Sequence, residues 1–145
     1  MAAVQRSVLV EFSANQMYAL VEDIEAYPEF LPWCRGAKVV SRQMNRAVAT
    51  IQIDFRGLRQ NFTTVNTGYP GESIRISLVS GPFRNLEGEW RFLPLAEQAC
   101  KVSLNLNYEF SRFFFDKVLG PVFHHISDSM VDAFVKRAES VHGRR

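Results

Sequence analysis

The chain has 145 residues, 47% hydrophobic and 12% aromatic with 12 Phe, which suits one domain, residues 1–145, around a real core. Its 17 basic and 15 acidic residues leave a net charge of +2, too balanced to indicate a nucleic-acid binder by composition. No apolar run is long enough to span a bilayer and the N-terminus lacks a signal pattern, so a soluble, cytoplasmic protein is expected.

Residues 4–12 alternate, with Val4, Val8, Val10 and Phe12 on one face, and predict a first strand. Ser13 then precedes an apolar-periodic run of Met17, Leu20, Val21 and Ile24. Ser13 and Gln16 have the spacing of a capping box, so a short helix should run to about Asp23. Pro28 and Pro32 forbid a long element in the next stretch, and a helical turn over residues 25–30 is expected. Tyr27, Phe30, Leu31 and Trp33 make this loop so apolar that it must be covered or be a cover.

From Gly36 the chain reads as an antiparallel meander. Residues 38–42 form a weak, edge-like strand. Ala49, Ile51, Ile53 and Phe55 share one face until Gly57 breaks the pattern. Phe62, Thr64 and Asn66 form the next inward row, and Gly68, Tyr69, Pro70 and Gly71 a turn. Ile74, Ile76 and Leu78 follow; then, past Gly81-Pro82, Leu86, Gly88, Trp90 and Phe92. Val102, Leu104, Leu106, Tyr108 and Phe110 give the cleanest alternation in the chain. Residues 113–141 then predict one long helix, roughly 40 Å at 1.5 Å per residue. Its apolar stripe is Phe115, Leu119, Val122, Ile126, Met130, Ala133 and Ala138. Gly120-Pro121 either starts the helix proper or kinks it; a stripe on both sides favours a kink. Either way, Phe113, Phe114 and Phe115 are expected at one end of a cleft. No second long amphipathic helix exists, so this one must lie in the concave face of a curled sheet.

Catalytic groups are scarce. His124 and Asp128 have the spacing of two metal ligands, but no third ligand is evident and an exposed helix face is the simpler reading. Cys34 follows a helix-breaking loop, yet no base partner can be assigned to it. Cys34 and Cys100 read as free thiols in a reducing compartment, with one disulfide as the alternative. Neither catalytic nor metal-binding residues are therefore expected. Aromatic residues are abundant: Phe55, Phe62, Phe83, Trp90, Phe92, Tyr108, Phe110, Phe123 and Phe134 should line the inner surfaces. Thr64 and Asn66 stand in the same register. Buried polar groups need partners, and apolar walls with a few polar groups describe a small-molecule pocket.

The run Tyr27-Pro28-Glu29-Phe30-Leu31-Pro32-Trp33-Cys34 resembles a signature of the coenzyme Q-binding proteins. Their bacterial relatives include the ribosome association toxins and the oligoketide cyclase/lipid transport proteins. Gly81-Pro82-Phe83 with Leu86, Gly88, Trp90, Phe92 and Pro94 resembles a second signature. Residues 106–110 with Met130, Ala133 and Phe134 resemble a third. The resemblance implies an α+β helix-grip fold of the START (Bet v 1-like) superfamily, with about seven antiparallel strands, two short helices after the first, and an apolar cavity. It implies ubiquinone or a related polyprenyl lipid as ligand, held without catalysis in support of respiration, and no other cofactor. Tyr27, Phe30, Leu31, Pro32, Trp33, Phe55, Phe62, Thr64, Asn66, Phe83, Trp90, Tyr108, Phe123 and Met130 are the expected ligand contacts. The Tyr27 to Trp33 lid is expected to touch the inner membrane transiently. The alternative the resemblance offers is a toxin that binds the large ribosomal subunit and blocks subunit joining. Arg35, Lys38, Arg42 and Arg46, or Lys136, Arg137, Arg144 and Arg145, would then make contact. A polyketide cyclase or aromatase would need an inward acid or base, and none stands out.

Overall fold

The computed structural model describes residues 2–143, without the side chains of residues 113–116. The expectations for Phe113, Phe114, Phe115, Arg144 and Arg145 therefore lie outside the described residues. The element order is β1 (Ala2–Val10), α1 (Ala14–Glu22), a 3₁₀ turn (Ile24–Glu29), six strands and a long helix. The strands are β2 (Cys34–Gln43), β3 (Arg46–Phe55), β4 (Leu58–Tyr69), β5 (Ser73–Ser80), β6 (Phe83–Ala96) and β7 (Ala99–Phe110); the helix is α2 (Phe113–His142). They form one antiparallel sheet in the order β1-β7-β6-β5-β4-β3-β2, a meander closed on one side by the first strand.

Local chemistry explains the boundaries. Ser13 Oγ accepts from Gln16 N at 3.1 Å, and Gln16 Oε1 accepts from Ser13 N at 2.9 Å, so the capping box starts α1. Arg56 and Gly57 both have positive φ, 49° and 86°, as a tight two-residue hairpin demands. The expected turn at Gly68 and Tyr69 is corrected: β4 runs through both residues and turns only at Pro70 and Gly71. Gly68 pairs with Ile74 within the sheet, and the Tyr18 hydroxyl of α1 takes the place a Cβ there would fill.

α2 begins at Phe113 and carries Pro121 inside it, so the helix does not start at the proline. Its buried seam is rotated from the expected stripe. Phe123, Ile126, Ser127, Val131, Phe134 and Ala138 are buried, whereas Leu119, Val122, Met130 and Ala133 are half-buried flanks. The reason is where the helix rests. It packs on β1, β7 and α1, and touches β4 only lightly. Arg6 fixes that position. It sits on the helix side of β1, between Val4 and Val8, and its guanidinium donates to Asp128 O at 3.0 Å. It also reaches the carboxylates of Asp128 at 3.3 Å and Asp132 at 3.1 Å. β2 is an edge strand, as expected, and two register shifts blunt it.

Candidate ligand cavity

A hollow remains where α2, the 3₁₀ turn and the β2–β4 arm of the sheet fail to meet. Its wall takes alternate residues of facing strands: Ala49, Ile51 and Ile53 from β3, Phe62, Thr64 and Asn66 from β4, Ile76 from β5. Register aligns them, with Ala49 opposite Thr64 and Ile51 opposite Phe62. Leu86, Trp90, Leu104 and Leu106 form the floor; Phe123, Ile126, Ser127 and Met130 of α2 form the roof; Ile24, Tyr27 and Trp33 close the side. The cavity offers about 80 Å³ to the centres of water-sized molecules. A water needs roughly 10–15 Å³ of such room, so a single substituted ring fits but a polyprenyl tail does not.

Eight of the expected contact residues line this cavity: Tyr27, Trp33, Phe62, Thr64, Asn66, Trp90, Phe123 and Met130. The remaining six lie elsewhere. Phe83 and Tyr108 pack with Phe110 and Phe123, centroids 4.7 to 6.5 Å apart, and plug the end of the core beside the cavity. Leu31 is a buried residue of the lid itself. Phe55 is half-buried at the end of β3, stacked 6.1 Å from His125. Phe30 and Pro32 face an outer groove between the lid and α2, with Trp33 as the wall shared by groove and cavity. Sequence reasoning favoured large aromatics and passed over Ala49, Ile51, Ile53 and Ile76. Their signal was pairing: each lies on the same face as Thr64 or Asn66 in the neighbouring strand.

Among the described residues that line it, none brings a carboxylate, imidazole, ammonium or guanidinium. Thr64, 4% exposed, donates its hydroxyl to Asn66 Oδ1 at 2.8 Å. Ser127 bonds back to Phe123 O at 2.9 Å. The Tyr27 hydroxyl donates to Val21 O, and burial pushes its pKa well above the usual tyrosine range. Tyr27 and Trp33 are both buried, so the rings expected to meet a membrane point inward. The outer surface of the lid is Glu25, Pro28, Glu29 and Pro32. A clasp joins lid to helix: Arg137 pairs with Glu29 at 3.1 Å and lies 5.0 Å above the Phe30 ring.

The other candidates separate from this site. Cys34 and Cys100 are free and buried, and burial pushes both thiols up to about 11. A thiol so protonated is a poor nucleophile. His124 and His125 are exposed, Asp128 is committed to Arg6, and no metal-ligand cluster occurs among the described residues. Arg35, Lys38, Arg42 and Arg46 are exposed on and beside the edge strand, with Arg42 paired to Glu22 at 3.2 Å.

Comparison with known proteins places this geometry. Residues 10–135 match the family described as polyketide cyclase / dehydrase and lipid transport. Ribosome association toxin RatA of Vibrio cholerae is 46% identical over 143 residues, covering 99% of both chains. Coenzyme Q-binding protein COQ10 homolog B, mitochondrial, of Xenopus laevis is 28% identical over 96% of this chain and 59% of its own length. The solved Zhui aromatase/cyclase of a Streptomyces species superposes with a TM-score of 0.84 at 18% identity, covering 95% of this chain and 93% of that one. That likeness carries the fold alone, the helix-grip architecture of START and Bet v 1-like proteins. With the family pattern running from the end of β1 into α2, this chain belongs to the polyketide cyclase/dehydrase and lipid transport family.

Proposed function

We propose that the protein binds, without transforming it, an amphiphile with a compact ring head and an apolar tail, a polyprenyl quinone such as ubiquinone being the best fit. The observation that carries this is an apolar cavity the size of one ring whose described wall holds no charged group. Apolar burial supplies the affinity, roughly 0.8 kcal/mol per CH2 removed from water. The titratable group in the described wall, the Tyr27 phenol, is held protonated by burial and donates to Val21 O, which leaves proton-transfer chemistry without a ready agent. The tail leaves the cavity past Trp33 into the outer groove of Phe30, Pro32 and Ala133. Loading from the inner membrane then needs the Arg137–Glu29 clasp to open, because the lid aromatics face inward. Under this reading the lipid is cargo, no further cofactor takes part, and the protein works from the cytoplasm. Lipid extraction and mass spectrometry of the purified protein, with titration of a decyl-substituted benzoquinone against Trp33 and Trp90 fluorescence, test it. A co-purified isoprenoid lipid or saturable quenching is expected; neither being found refutes the reading.

The identity with a ribosome association toxin over full length favours a second reading, association with the large ribosomal subunit. Arg35, Lys38 and Arg46 stand exposed with no ion pair found for them among the described residues, and they supply the contact. Binding should fall steeply with salt, as phosphate contacts do. A sucrose-gradient profile with added protein decides it: unchanged joining of the subunits retires this reading.

A further inference from the structure

A second, smaller hollow of about 20 Å³ adjoins the main cavity, between α1, the β2–β3 turn and β4. Ile24 and Asn66 line both. By the same measure it holds one or two water-sized atoms. Tyr18 forms its wall from α1. The ring is 9% exposed, and its hydroxyl has no hydrogen-bond partner among the described residues. A Cβ at Gly68 would overlap that hydroxyl, so bare backbone is what admits it. Asn66 lies two residues earlier on the same face of β4, about 7 Å along the strand. Thr64 holds Asn66 Oδ1, which leaves Nδ2 as the free end, and it too has no partner among the described residues. Asn45 is committed: its Nδ2 donates to Gly68 O at 2.9 Å. Arg42 and Glu22 pair at 3.2 Å beside the chamber and neutralise each other.

Neither donor is a fully buried orphan, so each keeps a trace of contact with water in the hollow, which a ligand oxygen can replace. Two neutral donor residues, Tyr18 and Asn66, thus line a space one or two water-sized atoms wide. We infer that this annex seats an uncharged oxygen acceptor, a ring carbonyl of the ligand whose apolar body fills the main cavity. A carbonyl oxygen has two lone pairs for two donors. A carboxylate would meet Glu22 with Arg42 already engaged, and a phosphate exceeds the space. The inference rests on the cavity being a ligand site, and it adds which end of the ligand goes where.

Isothermal titration calorimetry of the full chain tests it with three probes: a decyl-substituted benzoquinone, decylbenzene, which lacks oxygen, and decanoate, which carries a carboxylate. Tyr18→Phe and Asn66→Leu should each weaken quinone binding about 5-fold, the loss of one hydrogen bond, and Tyr18→Phe, which lies outside the main cavity wall, should leave decylbenzene unchanged. The bound quinone's carbonyl infrared band should lie below its position in alkane and return toward it in Tyr18→Phe. Equal quinone affinity and an equal band in all three proteins overturn the annex and leave the cavity reading standing. Decanoate binding tighter than the quinone, and lost in Arg42→Gln, overturns the neutral assignment. Failure of every probe on the wild-type protein overturns the cavity reading and this inference together. Tyr18→Phe keeps the ring edge-on to Phe92, 5.8 Å between centroids. Should either variant not fold, an unshifted carbonyl band in the wild-type protein is by itself enough to overturn the inference.

Discussion

Phe134 is the bolt between lid, sheet and helix, and its removal should both weaken the fold and widen the cavity. The ring is 0% exposed and meets Trp90 at 5.2 Å, Tyr27 at 5.4 Å and Phe30 at 5.1 Å, all edge-on. Truncating a buried Phe to Ala costs about 3–5 kcal/mol, transfer and cavity terms together. Three edge-to-face contacts, each worth roughly 0.5–1.5 kcal/mol beyond area, put Phe134→Ala near the upper half of that range. A domain of this size holds about 5–15 kcal/mol in total, so the variant should still fold at room temperature. With a urea slope of about 2 kcal/mol per molar, its midpoint should drop by roughly 2 M.

The vacated space has a particular neighbour. Tyr27 and Trp90 contact Phe134 and also line the cavity, so the new void should join the old one. Decylbenzene should then protect Phe134→Ala against urea more than it protects the wild-type protein. At 100 times its Kd a ligand adds about 2.7 kcal/mol, well above the error of a denaturation curve. A loss below about 1.5 kcal/mol would show that the ring is not packed as described. Equal protection of both proteins would show that the two spaces do not communicate.

Ser13→Ala removes the cap that starts α1 and should cost about 1 kcal/mol by thermal or urea denaturation. Arg6→Ala should cost about 1 kcal/mol at low salt, less near 1 M, because its two ion pairs are a third or more exposed and screened. Both thiols are pushed up to about 11 in the folded chain, above their unfolded value near 9. The protonated form is thus favoured by folding. Their stabilising effect is full below about pH 9 and is lost as pH rises towards 11. Denaturation midpoints should fall across that window in the wild-type protein and fall less in a Cys34→Ala/Cys100→Ala variant. A thiol reagent at pH 8 should label the unfolded chain quickly and the native chain slowly.

The element order was legible because each signal was local: alternation in β3 and β7, the Ser13–Gln16 box, the paired prolines of the lid. What sequence could not supply was orientation between elements. The stripe of α2 is drawn one way by counting apolar residues, and another by β1 and β7 pulling Phe123 and Phe134 inward. Arg6 stands within an apolar row of β1, and only the fold shows what it faces there, Asp128 and Asp132. Aromatic residues were read as walls because they are large. For the same reason Phe83, Tyr108 and Phe110 fill their end of the core by stacking on one another. The hollow persists where side chains are shorter, at Ala49 opposite Thr64 and at Ile51 and Ile76.

That contrast separates a ligand site from a packing defect, and Ala49 is the place to test it. Ala49 is 1% exposed at the centre of β3, and its methyl group faces the cavity. Leu at this position adds three carbons to a space with room for about 80 Å³ of water centres. Each added CH2 that is buried without strain contributes about 0.8 kcal/mol, and misfit takes back 1–3 kcal/mol. Ala49→Leu should therefore be neutral to about 1 kcal/mol more stable, where the same change in a filled core would be destabilising. Quinone binding should fall at least about 10-fold, because the head and the new side chain compete for one space. The outer surface, with Arg35, Lys38 and Arg46, is untouched, so an effect on ribosomal subunit joining that needs no ligand should survive. Loss of both activities together would mean that the occupied cavity controls the surface. Marked destabilisation would mean that the hollow is not open to a side chain at all, and the lipid-binding argument would fall with it.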